Sequence, residues 1–355
     1  MDNAQSRRAT KKMIIPSSIE SEAQLEDVLS EPSPVLVRDI VSWKSPLLIL
    51  GANGKMGPTL ALMAKKAAAR ANHPLRIIAV SRFSPAPSAW WKLHEIETIS
   101  ADLLEQKSFE NLPDSPNVLY LVGLKFGTSS HPWRTWAVNC LVPAFTAQRF
   151  SRSAVVALST GNVYPYTKPE SGGAVEETPL QPISEYGWAA VGRERIFQHA
   201  SERWQVPVVL LRLNYAVELR YGVLVDIASR IYKNEPIDLA MGYLNCIWQR
   251  DANEAVLRSR ALCASPAAAY NLTGLETFSV RELANKIALA LKKEVRFSGT
   301  ELGDALLNNA ARLHKELRLV TTPAVEAIPA IADWMRRSMP LLGKPSHFQS
   351  RQGQF

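Results

Sequence analysis

The sequence lacks the features that would tie it to a membrane, a secretory route or a metal centre. No apolar run approaches the roughly 20 residues that span a bilayer. The opening stretch Met1-Asp2-Asn3-Ala4-Gln5-Ser6-Arg7-Arg8 leads into no apolar signal core. Cysteine is scarce: Cys140, Cys246 and Cys263 are widely spaced and odd in number, so they form neither a disulfide framework nor a metal-ligand cluster. The six histidines are dispersed, with no two at a ligating spacing. These absences predict a cytoplasmic protein with no metal and no membrane. Charge is not concentrated either. The net charge is +8, yet the basic residues are scattered apart from Arg7, Arg8, Lys11 and Lys12, which read as a solvated arm. A phosphate-bearing cofactor is a sufficient anionic partner, and no nucleic acid is expected.

What is present reads as an α/β protein. The 355 residues, 46% hydrophobic and 21% charged, suit one large domain plus a smaller lobe. Residues 1–45 form an N-terminal arm packed on the main domain, weakly helical around Ser21–Leu29 and broken by Pro32 and Pro34. From Pro46 short apolar runs alternate with helical stretches, the pattern of a parallel sheet. The strands are expected at Leu47–Leu50, Arg76–Val80, Val118–Val122, Ala154–Leu158 and Val208–Leu211. Each is nearly continuously apolar, as strands buried on both faces are. Helices fall between them at Pro58–Arg70 and Trp136–Arg149, then at Val223–Lys233 and Val280–Leu291. The predicted fold is a Rossmann-type doubly wound parallel sheet over 46–215, with a smaller C-terminal α/β substrate lobe over 216–340. Segments of that lobe are free to return to the main sheet, and 341–355 is a tail.

The first strand runs directly into Gly51-Ala52-Asn53-Gly54-Lys55-Met56-Gly57, and a helix follows. One glycine permits the tight turn, one lets backbone approach a pyrophosphate, and one allows close helix–strand packing. The helix N-terminus then offers free N–H groups to phosphate. At the end of the second strand stand Ser81 and Arg82, with no carboxylate for ribose hydroxyls. A hydroxyl and a guanidinium suit the 2′-phosphate of NADP, which is preferred over NAD; the alternative is an Arg82 that stacks on adenine or faces solvent. Asp102, with Leu103 beside it, is placed either to accept from the adenine amino group or to cap a helix.

Taken with the motifs that follow, the chain resembles the extended short-chain dehydrogenase/reductase family, the NAD(P)-dependent epimerase/dehydratase group, from about residue 46 to about residue 335. Val122-Gly123-Leu124-Lys125 is similar to the Ala-Gly-Leu-Lys stretch of UDP-galactose 4-epimerases, whose lysine approaches the cofactor. Asn139 matches the structural asparagine of the next helix, and Ser159-Thr160-Gly161-Asn162-Val163-Tyr164 matches the element after strand five. Arg212-Leu213-Asn214 corresponds to the Arg-x-x-Asn that borders substrate, and Asp251 falls in a degraded Val-Asp-Asp-Val segment. Tyr270–Gly274 and Ser279–Ala284 are similar to the C-terminal lobe signature.

The resemblance implies a nicotinamide that carries the hydride and a tyrosine that carries the proton, with a hydroxyl neighbour on the substrate oxygen. By position these are Tyr186 and Thr160, with Lys125 as the nearest family cation. It further implies that Gly51, Asn53, Gly54, Lys55, Met56, Gly57, Ser81, Arg82, Asp102, Leu103, Val122, Gly123, Lys125, Asn139, Ser159 and Tyr186 hold the dinucleotide. Thr160, Gly161, Asn162, Asn214, Trp248 and Arg250 face a small-molecule substrate, although Arg250 reads equally as a surface arginine. A homodimer is implied through the helices that start near Asn139 and Tyr186.

Two departures narrow the chemistry. The family lysine four residues after the tyrosine is Ala190 here. Lowering a phenol from about 10 to about 7 takes on the order of 4 kcal/mol. Lys125 ranks ahead of Arg193 as a substitute source of charge. The Asp-Glu pair of the dehydratases is replaced by Gly161 and Asn162, which serve as neither acid nor base. Redox or epimerisation at a carbinol carbon of a sugar or sugar-acid derivative remains. The competing reading is a dinucleotide-binding protein without catalysis, favoured by Ala190 and opposed by the joint presence of Thr160 and Tyr186. Of the other residues, His131 lies near the expected cleft in the Gly127–Arg134 loop. Trp133 and Trp136 line either a pocket or a core.

Overall fold

The computed structural model of the protein describes residues 14–84, 86, 88–125 and 130–353. Arg7, Arg8, Lys11, Lys12 and Gly127 lie outside the described residues. Seven strands, β1 (Leu47–Leu50), β2 (Ile77–Ser81), β3 (Glu97–Ser100), β4 (Asn117–Tyr120), β5 (Ala154–Thr160), β6 (Val208–Leu213) and β7 (Ala268–Leu272), form one sheet. Its order is β7-β6-β5-β4-β1-β2-β3, parallel throughout. This is the doubly wound fold expected from the sequence.

The continuous apolar runs follow from burial on two faces. Leu47 and Ile49 point into one core with Ala79, Leu119 and Leu211, whereas Leu48 and Leu50 point into the other with Ile78, Val80, Val118 and Leu210. That split is the two-residue period of a strand. Helix α3 (Gly57–Arg70) contributes Leu60, Met63, Ala64 and Ala67 to the first core. Helices α4 (Val142–Arg149) and α5 (Glu185–Trp204) supply Val142, Ala147, Phe197 and Ala200 to the second. The arm carries α1 (Glu22–Leu29) and α2 (Pro34–Asp39).

The lobe forms where α6 (Val223–Tyr232), α8 (Val280–Leu291) and α9 (Ile328–Arg336) pack on one another. Residues 216–340 do not stay together in it. Between α6 and α8, α7 (Gln249–Arg258) packs on α3, and β7 pairs in parallel with β6 from Ala268↔Val209 to Leu272↔Leu213. The arm is shared between the two bodies. Ile15, Ile19, Leu25 and Leu29 are buried in the lobe core, whereas Leu36, Ile40 and Trp43 are buried with α3 against the sheet. No helix among the described residues is long and apolar enough to cross a membrane.

If the arm is part of the lobe core, removing one of its side chains must cost what a core truncation costs. Leu25→Ala should lower the unfolding free energy by about 2–5 kcal/mol, the usual range for a buried leucine. Chemical denaturation measures this, and a change below about 0.5 kcal/mol would show that the arm merely rests on the surface.

Candidate active site

Chain order reverses between β1 and β4, so a crevice opens beyond their carboxyl ends. Leu50 stands opposite Val80 and Tyr120, which puts Gly51, Ser81 and Leu121 on one rim. Gly51 has φ +80°, and a Cβ there would lie 3.0 Å from the Val122 nitrogen. At Gly57 a Cβ would sit 1.9 Å from the Ala52 carbonyl oxygen, so only glycine lets α3 start this close to the strand. Helix α3 has no side-chain cap, which leaves its first N–H groups directed at the crevice. The turn and this helix start fit a pyrophosphate.

Around the rim, Arg82 is exposed after β2, and its carbonyl accepts from the Ser100 hydroxyl at 3.3 Å. Asp102 accepts the Leu104 N–H at 3.0 Å, so its carboxylate caps the local turn, with Leu103 buried beside it. After β4, Gly123 lies against Asn139 and Arg193: a Cβ there would be 3.0 Å from the Arg193 guanidinium. Asn139 is buried in a π-helical turn, Ala137–Leu141, where the extra residue turns its side chain toward the crevice rim. Its amide donates to Leu124 O (3.2 Å) and Thr135 O (2.9 Å), and its oxygen accepts from Arg193. Arg193 also donates to Leu158 O at 2.7 Å, so its charge is spent on bracing this corner.

Two lysines face the crevice. Lys55, in the glycine turn, lies 4.5 Å from the Tyr221 ring centre, and Lys125 lies 5.8 Å from that of Tyr215. Burial brings each ammonium down to about 8, and the positive charge of Lys55 lowers Lys125 further, while Asp226 opposes the shift in both. Both remain largely protonated at neutral pH.

The opposite wall is built from β5 and the start of α5. Ser184 caps α5 by accepting the Gly187 N–H at 3.0 Å. At Gly187 a Cβ would approach the Asn162 carbonyl to 2.5 Å, and this close packing brings the buried Tyr186 alongside the Thr160–Asn162 turn. Thr160 Oγ1 accepts two hydrogen bonds from Asn162, from its N–H (3.2 Å) and its side-chain amide (3.0 Å), which directs the hydroxyl's own hydrogen elsewhere. Behind this wall, Glu194 receives the Ser159 hydroxyl at 2.5 Å and holds Arg212 through its Nε and, at 2.8 Å, its Nη2. Arg212 in turn donates to the Tyr164 hydroxyl at 2.6 Å.

Some expected contacts are corrected by this geometry. The Ser159 hydroxyl is turned into the buried ion pair and away from a cofactor. Trp248 and Arg250 are 1% and 2% exposed, out of reach of a dissolved substrate. The Arg250 guanidinium binds Glu31 O at 2.9 Å, Asp251 at 2.9 Å and Glu254 at 2.6 Å, locking the arm onto α7. Asn214 is likewise buried, donating to Asn245 at 2.7 Å. Ala190 is 0% exposed among Val163, Tyr164, Ala174 and Val191, so a lysine there would be driven into a packed cluster. His131 bonds its neighbour Ser130 at 3.0 Å, and Trp133 and Trp136 are exposed.

One polar residue at the wall escaped the sequence reading. Asn308 is 1% exposed, and a Gly161 Cβ would lie 2.7 Å from its side-chain oxygen. Among the described residues, neither atom of its carboxamide has a hydrogen-bond partner. No local pattern marks it, because the chain returns to the site from the far side of the lobe.

A model of the NAD dependent epimerase/dehydratase family matches residues 47–236. No curated protein matches the sequence. Among solved structures, MoeE5 in complex with UDP-glucose and NAD has a TM-score of 0.67 at 18% identity, over 83% of this chain and 99% of that one. The UDP-glucuronic acid 4-epimerase of Bacillus cereus, in complex with UDP-glucuronic acid and NAD, has a TM-score of 0.67 at 16% identity over 82% and 99%. A UDP-galactose 4-epimerase has a TM-score of 0.64 at 19% identity over 82% and 99%. At such identities these likenesses show the fold.

Removing Glu194 leaves the Arg212 guanidinium buried without its counter-ion. Glu194→Ala should therefore cost about 3–5 kcal/mol in denaturant unfolding. A loss under about 1 kcal/mol would mean that the pair does not brace the wall.

Proposed function

The chain belongs to the NAD dependent epimerase/dehydratase family and is an NAD-dependent epimerase or dehydrogenase by class; from that premise we propose that it acts at a carbinol carbon of a sugar or sugar-acid derivative. The observation that supports this reading is that the glycine turn after β1 and the Thr160–Asn162 turn at the end of β5, on which Gly187 packs, lie at the same carboxyl edge of the sheet. The dinucleotide, when bound, supplies the hydride acceptor. Gly51, Gly54 and Gly57 let backbone N–H groups of Asn53, Lys55 and Met56 approach its pyrophosphate, and Val122, Gly123 and Asn139 shape the ribose end. Thr160, with two hydrogen bonds already accepted from Asn162, donates its hydrogen to the substrate oxygen. Tyr186 takes and returns the proton on that oxygen. Lys125 supplies positive charge, since position 190 has no room for a lysine. Asn162 and Gly161 border the substrate, without acid or base roles.

Arg82, exposed at the end of β2 where no carboxylate stands, supports a preference for NADP over NAD. One specific observation favours the non-catalytic alternative: position 190, where the resemblance places a lysine, carries an alanine that is fully buried in a packed cluster. A cytoplasmic setting is part of the proposal, supported by three cysteines that are widely spaced and odd in number. A homodimer is part of the proposal. Trp136, Leu141 and Trp188, on the helices expected to meet a second copy, are exposed by 39%, 48% and 47%.

The deciding experiment titrates NADP and NAD and then screens nucleotide sugars, sugar acids and polyols for reduced-nicotinamide absorbance and for epimer formation. Tyr186→Phe should lower turnover by about 100- to 10,000-fold and leave dinucleotide affinity unchanged. Full turnover in that variant would remove Tyr186 from the chemistry, and binding with silence across the panel would select the non-catalytic reading. For the dimer, Trp188→Asp should convert a sedimenting dimer to monomer; a monomeric wild-type chain would refute it.

A further inference from the structure

Beyond α9 the chain turns back across the crevice. Leu342 N–H donates to Arg220 O at 3.0 Å. The Lys344 carbonyl accepts from Lys55 Nζ at 3.0 Å, and the Ser346 carbonyl lies 3.5 Å from Lys125 Nζ. Ser346 also donates its N–H (2.7 Å) and its hydroxyl to Asp226. Phe348 is 3% exposed in the lobe core. The Arg351 carbonyl accepts from the Tyr166 hydroxyl at 2.9 Å, and its guanidinium pairs with Asp304. Gly353 has φ +64°, and a Cβ there would be 2.3 Å from the Ser184 Cβ, at the cap of the Tyr186 helix.

The segment thus touches the glycine turn, the lysine after β4 and the start of α5, which are the three landmarks of the ligand crevice. The cavity left between Asn162, Tyr164, Tyr215, Ser184, Ser350 and Gly353 is about 20 Å³. A small-molecule site takes roughly 300–1,000 Å³. At the glycine turn a space of about 280 Å³ remains beside Asn53, Gly54 and Lys55, with Leu342 and Lys344 of the segment on its rim; at the Asn162–Ser184 end a ligand has no room while the segment is seated.

We propose that residues 342–353 form an internal strap in the ligand crevice, and that a diphosphate-bearing ligand enters by displacing the strap and taking Lys55 and Lys125 from its carbonyls. This rests on the reading that the crevice binds a dinucleotide. The exchange has a physical basis. Two buried ammonium groups that repel each other lie here against strap carbonyls, with Asp226 acting on both and Glu218 on Lys55 as well. A diphosphate makes charge-assisted bonds to the same groups, which are about twice as strong as neutral ones. The strap is held by a few polar anchors and one apolar side chain, so a ligand with a sufficient difference in affinity between the two states shifts it out.

The test compares the full chain, a chain ending at Leu341, and the double variant Ser346→Ala/Arg351→Ala, which loosens the strap without touching the Phe348 packing. NAD and NADP are titrated into each by calorimetry, and amide hydrogen exchange over 342–353 is followed in the full chain. The expected result is at least about tenfold tighter binding in both altered proteins, about 1.4 kcal/mol, with faster exchange over 342–353 when dinucleotide saturates the full chain. If the shortened chain does not fold, the double variant decides. Dissociation constants equal within about twofold, with unchanged exchange, would overturn the strap and leave the dinucleotide reading standing. Binding to none of the three proteins would overturn that reading and the strap with it.

Discussion

Glu194 and Arg212 are 0% and 4% exposed, and their charged groups meet at 2.8 Å between β5, β6 and α5. Taking both ions out of water costs several kcal/mol each, which their attraction returns only when every lone pair and proton is used. Here nearly all are. Glu194 also receives Ser159, and Arg212 also binds Tyr164 and Glu176 O. Tyr164 passes the connection on to Asn271 of β7 at 2.9 Å. One ion pair therefore joins three strands of the sheet to the helix that carries Tyr186 in its first turn. Thr160 follows Ser159 and Asn162 precedes Tyr164 by two residues, so the turn that carries the polar wall hangs between two anchored points.

This arrangement explains why the fold was legible in the sequence and much of the wall was not. Strand β1 and the stretches Val118–Tyr120 of β4 and Val208–Leu211 of β6 announce themselves because burial on two faces forces an apolar run, and Gly51-x-x-Gly54-x-x-Gly57 states a backbone requirement within seven residues. Such signals are local. Ser159 looked like a cofactor contact because it sits near the carboxyl end of β5; its hydroxyl is claimed by a glutamate 35 residues away. Arg250 looked like a substrate contact because a cation beside Trp248 often is one. What decides its role is the arm, which brings Glu31 O within 2.9 Å from across the sequence. Asn308 and the strap carry no pattern at all, and only the path of the chain puts them at the site.

Positive charge in the crevice is distributed unusually. The helix face that would carry a lysine beside Tyr186 is closed, with Ala190 packed against Val163 and Tyr164. Arg193, one turn further on, is committed to Leu158 O and Asn139. Lys55 and Lys125 stand over the crevice, at the glycine turn and after β4. Both are on the side where a dinucleotide's phosphates and ribose would lie, and both keep most of their charge at neutral pH despite burial. Charge placed there strengthens binding of an anion in any state of the substrate. It favours proton transfer at Tyr186 only to the extent that it reaches the phenolate, and interactions that are equal in ground and transition states do not raise turnover. The crevice is therefore better equipped to capture a dinucleotide than to activate a tyrosine, and the strap that holds these two lysines acts on the stronger of the two capacities.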